Sequence, residues 1–116
     1  MKRKSIYIFT VLSLCAYFAH AQAKKKINVL FLGNSYTFVN NLPQLIKDVA
    51  AANGDTLLFD SNCIGGYTFN NHFNDVTSIA KIKAQAWNYV VLQAQSQEPS
   101  FSPAQVAAQT LPFAIS

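Results

Sequence analysis

Apolar and polar positions alternate in blocks along this chain. Ile27 to Leu32 (I-N-V-L-F-L) is almost continuously apolar, as expected of a short strand buried on both faces of a parallel sheet. Leu42, Leu45, Ile46, Val49 and Ala50 then share one helical face. Asn41 is placed to cap that helix with Gln44 reaching back, and Asn53-Gly54 to close it. Thr56 to Asp60 (T-L-L-F-D) reads as a second strand, followed by a loop from Ser61 to Thr68. His72 to Ala86 reads as one helix, with Phe73, Val76, Ile79, Ala80 and Lys83 on successive turns. Tyr89 to Leu92 (Y-V-V-L) reads as a third buried strand, and Gln93 to Ser100 as the loop after it. Ser102-Pro103-Ala104-Gln105 has the residues of a helix start: a capping serine, proline in the first turn, and a glutamine that returns to the cap.

Strand, helix, strand, helix, strand, helix predicts a three-layer α/β/α sandwich with a parallel sheet. Right-handed crossovers place the loops after all three strands on one edge, where open sheets of this kind bind ligands. Ser35, Gly66 and the Gln93–Gln97 stretch therefore meet at that edge. Three strands make a thin sheet, and no closing strand precedes Ser116, so the sequence predicts a truncated sandwich spanning 24–116.

The N-terminal pattern is different. Lys2, Arg3 and Lys4 precede an apolar core from Ile6 to Phe18, and Ala19-His20-Ala21 supplies the small-x-small signature of a cleavage site. A second such site is Ala21-Gln22-Ala23. Residues 1–21, or 1–23, are expected to be a secretory signal peptide. The product would be exported, periplasmic or secreted, with no stable membrane anchor after cleavage. The nine Lys and Arg against five Asp and Glu fall to six against five once the signal is removed. The formal +4 thus belongs to targeting and does not argue for nucleic-acid binding. Cys63 is the single cysteine of the mature chain, which excludes an internal disulfide framework.

Three features carry candidate chemistry. Ser35 follows a strand and precedes a helix in V-L-F-L-G-N-S-Y-T. There it reads either as a turn serine or as a nucleophile whose own N–H points to the reacting oxygen. Gly65-Gly66 follows the second strand and reads as an ordinary turn or as a close approach to substrate. Gln93, Gln95 and Gln97 alternate after the third strand, and carboxamides are neutral donors suited to an oxyanion or a hydroxyl. The chain has no G-x-S-x-G, no P-loop and no G-x-G-x-x-G. With His72 the only mature histidine, a histidine-based metal site is not expected, nor is a cofactor. His72 itself is expected on a helix surface. A flavodoxin-like phosphate or flavin cradle at Ser35 and Thr37 lacks the glycines it would need.

Together the three loops resemble the SGNH (GDSL-like) hydrolase family over nearly the whole mature chain. F-L-G-N-S-Y-T is similar to the first family block, usually G-D-S, with Asn34 in the Asp position. S-N-C-I-G-G-Y-T resembles the second block, N-x-x-x-G-x-T, and N-Y-V-V-L-Q-A-Q-S-Q-E resembles the third, V-V-x-x-x-G-x-N-D. The resemblance implies a flavodoxin-like SGNH fold and a serine esterase acting on carbon–oxygen esters, with acetylated carbohydrate as a candidate substrate class. It makes Ser35 the nucleophile. The oxyanion donors would be Ser35 N–H, Gly66 N–H and the Gln97 amide, with Gln95 as second choice. Gln95 stands where the family has glycine and Gln97 where it has asparagine. The Asp-x-x-His block that supplies the base does not occur before Ser116, so the chain is expected to be nearly inactive as it stands. The alternative is a non-catalytic carbohydrate-binding or interaction domain on the same scaffold.

Overall fold

The computed structural model describes residues 23–114, so the expected signal peptide lies outside the described residues. Strand β1 (Lys26–Gly33) is followed by a single helical turn α1 (Ser35–Phe38) and helix α2 (Leu42–Ala52). Strand β2 (Thr56–Cys63) leads to α3 (Phe69–Asn74) and α4 (Val76–Lys83). Strand β3 (Tyr89–Leu92), a 3-10 turn (Glu98–Ser100), α5 (Pro103–Gln109) and α6 (Leu111–Ala114) complete the order. The sheet has the order β2-β1-β3 and is parallel throughout. Lys26 to Gly33 pair with Thr56 to Cys63, and Val29 to Leu32 pair with Tyr89 to Leu92.

β1 is central because from Val29 to Leu32 it has no polar position to expose. Val29, Leu30, Phe31 and Leu32 are all buried, which contributes roughly 1.5–3 kcal/mol for each large side chain. Successive side chains of a strand point to opposite faces. On one face Val29 and Phe31 pack with Leu57, and Ile27, Ala50 of α2, Phe59 and Cys63 close around them. Phe31 meets Phe59 edge to face at a centroid distance of 6.1 Å. On the other face Leu32 lies with Val90 and Leu92 of β3 beside Phe69, His72 and Phe73 of α3 and Ile79 and Ile82 of α4, around an apolar groove of about 430 Å³. Helices therefore cover both faces, and the expected α/β sandwich with a parallel sheet is the observed architecture.

Several local expectations are corrected. His72–Ala86 is not one helix. Asp75 adopts an extended backbone (φ −91°, ψ 116°), ends α3 and caps α4, accepting from Thr77 N–H and Ser78 N–H. A short carboxylate satisfies the free donors of a helix start better than it continues a helix. Asn41 does not cap α2 through its side chain. It sits in the left-handed region at φ 49°, and Gln44 bonds Asp48 instead of the cap. β3 is not buried, since Tyr89, Val90, Val91 and Leu92 all remain exposed on a strand paired at one edge only among the described residues. The apolar face of α2 is likewise only partly covered, with Leu45 52% and Val49 63% exposed. The capping box of α5 forms as expected: Ser102 N–H donates to Gln105 Oε1 (2.9 Å) and Gln105 N–H to Ser102 Oγ (3.3 Å).

Two polar contacts pin the crossover from β2 to β3. Lys81 Nζ reaches Asp60 at 2.6 Å on a partly exposed surface, where such a pair contributes about 0–1 kcal/mol. Asp75 is tied more thoroughly. Desolvation pushes its carboxyl up, but hydrogen bonds from Ser78 Oγ, Thr77 N–H, Ser78 N–H and Asn62 outweigh that and hold it below the usual carboxylate value. A depressed folded-state pKa stabilises the fold above the unfolded value, and that contribution is lost as pH falls through the folded pKa. Asp75→Ala is expected to lower the urea midpoint at neutral pH. The gap to wild type should close on acidification below the ordinary carboxylate range, followed by far-UV circular dichroism across a pH series.

Candidate active site at the carboxyl edge of the sheet

The site is built where β1 runs out. The carbonyl of Gly33 and the N–H of Asn34 belong to one peptide and point in opposite directions, as in any trans peptide. On the β2 side, the Gly33 carbonyl accepts from Ile64 N–H (3.2 Å) and from His72 Nε2 (2.9 Å). On the β3 side, Asn34 N–H donates to Gln93 Oε1 (2.9 Å). The ladder of the sheet thus continues one step past the end of the strand, with side chains supplying part of it. Ser35 follows directly after Asn34.

The space for this arrangement depends on Gly33. A Cβ there would stand 2.7 Å from Thr37 Oγ1, 2.9 Å from Gln93 Oε1 and 3.1 Å from Gln93 Cβ. Thr37 Oγ1 also donates to Gln93 Oε1 (3.1 Å), so one carboxamide oxygen receives both the backbone and the hydroxyl of the first loop. The Gln93 amide nitrogen donates onward to the Ala94 carbonyl.

Asn34 joins the three loops. Its Nδ2 donates to the Tyr67 carbonyl of the second loop (3.0 Å) and reaches the Ala94 carbonyl of the third (3.4 Å). Its Oδ1 accepts from Tyr36 N–H (3.2 Å) and caps α1. These partners fix the orientation of the amide: both carbonyls demand a donor, and the N–H demands an acceptor. Asn34 is 2% exposed, so its side of each of these bonds is turned away from solvent.

Ser35, half-buried, is left with both functional groups open. Among the described residues its hydroxyl and its N–H make no hydrogen bond, while the neighbouring Tyr36, Thr37 and Phe38 N–H groups are all engaged with Asn34. Gly66 lies in a turn in which Tyr67 N–H donates to the Ile64 carbonyl (3.1 Å). Its φ of 75° is one that glycine adopts without strain, and no atom would lie within 4 Å of a Cβ there. Because Asn34 holds the Tyr67 carbonyl, this turn is tied to the Ser35 loop one residue away from Gly66.

The third loop is organised differently from expectation. Gln93 acts as an acceptor for the first loop, not as a donor to a ligand. Gln95 N–H donates to Glu98 Oε1 (3.0 Å), and Gln95 Oε1 accepts from Gln97 N–H (2.6 Å). The Gln97 side chain is exposed, and its amide makes no hydrogen bond among the described residues. The structure thus joins the loops of Ser35 and Gly66 and the start of the third loop at Ala94. Among the described residues no hydrogen bond links Gln97 to either of the other two loops.

His72 is the principal correction. Far from a helix surface, it is 5% exposed and its ring packs edge-on to Tyr67 at 5.0 Å. Its Nδ1 lies 2.7 Å from Ser78 Oγ, which lies 3.0 Å from Asp75 Oδ2. Asn62 Nδ2 donates to both Asp75 Oδ2 (2.6 Å) and Ser78 Oγ (2.9 Å). Sequence reading missed this cluster because the relevant order is His72-x-x-Asp75, with the serine on the next turn. Neither imidazole nitrogen is directed at Ser35. Cys63 is no alternative nucleophile: burial pushes its thiol up, and its Sγ–H faces the Phe31 carbonyl at 3.7 Å. Among the described residues no cluster of His, Cys, Asp or Glu could hold a metal ion, and no helix is long and apolar enough to cross a membrane.

No protein-family model matches the chain, and no curated protein or solved structure matches it significantly.

Two substitutions test the geometry. Gly33→Ala forces Thr37 or Gln93 out of its place and is expected to cost about 1–3 kcal/mol, read as a lowered denaturant midpoint with an unchanged m-value. Asn34→Asp replaces a donor with an acceptor facing two carbonyls. It is expected to cost about 1–3 kcal/mol at neutral pH, and less once the new carboxyl is protonated and can donate again.

Proposed function

We propose that the chain carries the nucleophile half of a serine ester hydrolase of the SGNH type, acting on carbon–oxygen esters. Acetylated carbohydrate is the substrate class we favour. The observation that carries this reading is the state of Ser35. Among the described residues its hydroxyl and N–H are both unbonded at the carboxyl edge of the sheet, on a turn whose preceding peptide is fixed from both sides. A nucleophile and an oxyanion donor on one residue is what acyl transfer requires. The open, positive-φ Gly66 turn, tied to Asn34 through Tyr67, is the candidate for the second donor. For the third donor, Gln97 and Gln95 both remain in the same loop, with Gln97 the freer amide.

In this reading the Ser35 oxygen attacks the ester carbonyl. The hydroxyl proton must pass to a base, and the alcohol leaves with a proton returned by that base. Among the described residues no imidazole meets Ser35, because both nitrogens of His72 are engaged elsewhere. Residues 23–114 therefore support nucleophilic attack on an activated probe more readily than turnover of an ordinary ester. The same observation favours the second reading, a glycan-binding domain without turnover.

A fluorophosphonate probe separates the two. Slow labelling of the wild-type chain at Ser35, absent from Ser35→Ala, is the expected result by intact-protein mass spectrometry. Equal labelling of the variant, or none of either, would sink the hydrolase reading. Saturable glycan binding without labelling would support the alternative.

A further inference from the structure

We propose that His72 is a positioning residue for Ser35: through the Gly33 carbonyl it fixes the turn that presents the serine, and the Asp75–Ser78–Asn62 cluster exists to hold its ring in place. This rests on Ser35 being the nucleophile, as argued above.

The geometry carries the assignment in three steps. A carbonyl oxygen only accepts, so the 2.9 Å contact places a hydrogen on His72 Nε2. Nδ1 is then the acceptor in the neutral ring, and it takes the Ser78 hydroxyl proton across 2.7 Å whenever that proton is not on Asp75 Oδ2. Ser78 is fully buried, and its oxygen also receives Asn62 Nδ2. The ring is thus held at both nitrogens, and Tyr67 packs on it.

Second, the supporting cluster is more elaborate than helix capping needs. Asp75 already caps α4 through Thr77 N–H and Ser78 N–H. Its Oδ2 in addition lies within hydrogen-bond distance of Ser78 Oγ and Asn62 Nδ2. Asn62 comes from the end of β2, so the cluster locks the His72 ring to the sheet as well as to the helix. The single hydroxyl proton of Ser78 serves either His72 Nδ1 or Asp75 Oδ2 at a given moment. In either case Asn62 Nδ2 donates to that oxygen.

Third, the Gly33 carbonyl does not need His72 for satisfaction. Ile64 N–H already donates to it. A second, buried donor on that oxygen adds orientation to a peptide whose other end is held by Gln93. Ser35 is the next residue but one. Displacing a nucleophile by about 1 Å can cost on the order of a hundredfold in rate, so a fixed turn is worth the buried polar cluster.

The test compares His72→Leu with His72→Gln, whose side-chain amide can still donate to the Gly33 carbonyl. Fluorophosphonate labelling of Ser35 is expected to fall roughly tenfold to a hundredfold in the Leu variant and to recover most of its rate in the Gln variant. Equal rates in all three chains would overturn the proposal. If His72→Leu does not fold, Ser78→Ala takes its place: it leaves the ring present but unheld at Nδ1, and a reduced labelling rate is expected. If the wild-type serine is not labelled at all, the hydrolase reading fails, and backbone amide shifts decide the positioning claim alone. Shifts of Asn34 and Ser35 that move in the Leu variant and return in the Gln variant support it; unmoved shifts overturn it. In the wild type, imidazole ¹⁵N signals must show the Nε2–H tautomer, and an Nδ1–H tautomer would contradict the geometry.

Discussion

The peptide between Gly33 and Asn34 is the constraint on which the site depends. It stands just past the most buried strand of the sheet and is held at both ends. Ile64 N–H and His72 take its carbonyl, and Gln93 takes its N–H. Each neighbouring element contributes one of these partners. β2 runs into Ile64, α3 carries His72, and β3 runs into Gln93. The turn bearing Ser35 therefore inherits its position from the whole sheet, through hydrogen bonds of ordinary length, of which the one from His72 is buried and the one to Gln93 part-buried.

Asn34 extends the same logic sideways. A carboxamide has two donors and an acceptor on one short arm, and this one uses them on three loops at once. An aliphatic residue of equal size would take the Asn34 partners away from the Tyr67 carbonyl and the Tyr36 N–H, and would leave the Ala94 carbonyl to Gln93 alone. The absence of a Cβ at Gly33 is the matching steric condition, since the space it leaves is filled by Thr37 and Gln93. The two residues before Ser35 are thus fixed for different physical reasons, one by volume and one by hydrogen-bonding capacity.

Much of the architecture was legible in the sequence because one-dimensional patterns report it. The I-N-V-L-F-L run gave β1 and its burial, and Ser102-Pro103-Ala104-Gln105 gave the capping box of α5. The position of Ser35 followed from the order of elements alone. What was not legible depends on distance in space. The apolar run Y-V-V-L looks the same whether a strand is flanked on both sides or on one, so the exposure of β3 could not be read. A lone histidine at helical spacing gives no sign that it will meet a carbonyl 39 residues away. The break at Asp75 had a local signal, a short carboxylate followed two and three residues on by Thr77 and Ser78, which apolar periodicity across 72–86 obscured. The Gln97 amide was singled out by type and spacing, but its exposure and lack of partners are properties of the folded third loop.

Whether the Gly33–Asn34 peptide is clamped is read by site-resolved hydrogen exchange at the Asn34 amide. Protection comparable to that of the Leu30 to Leu32 amides is expected, although Asn34 lies beyond the strand, because its N–H is held by a part-buried carboxamide oxygen. Exchange as fast as that of the exposed Gly65 and Gly66 loop would contradict a clamped peptide, and with it the account of how Ser35 is seated.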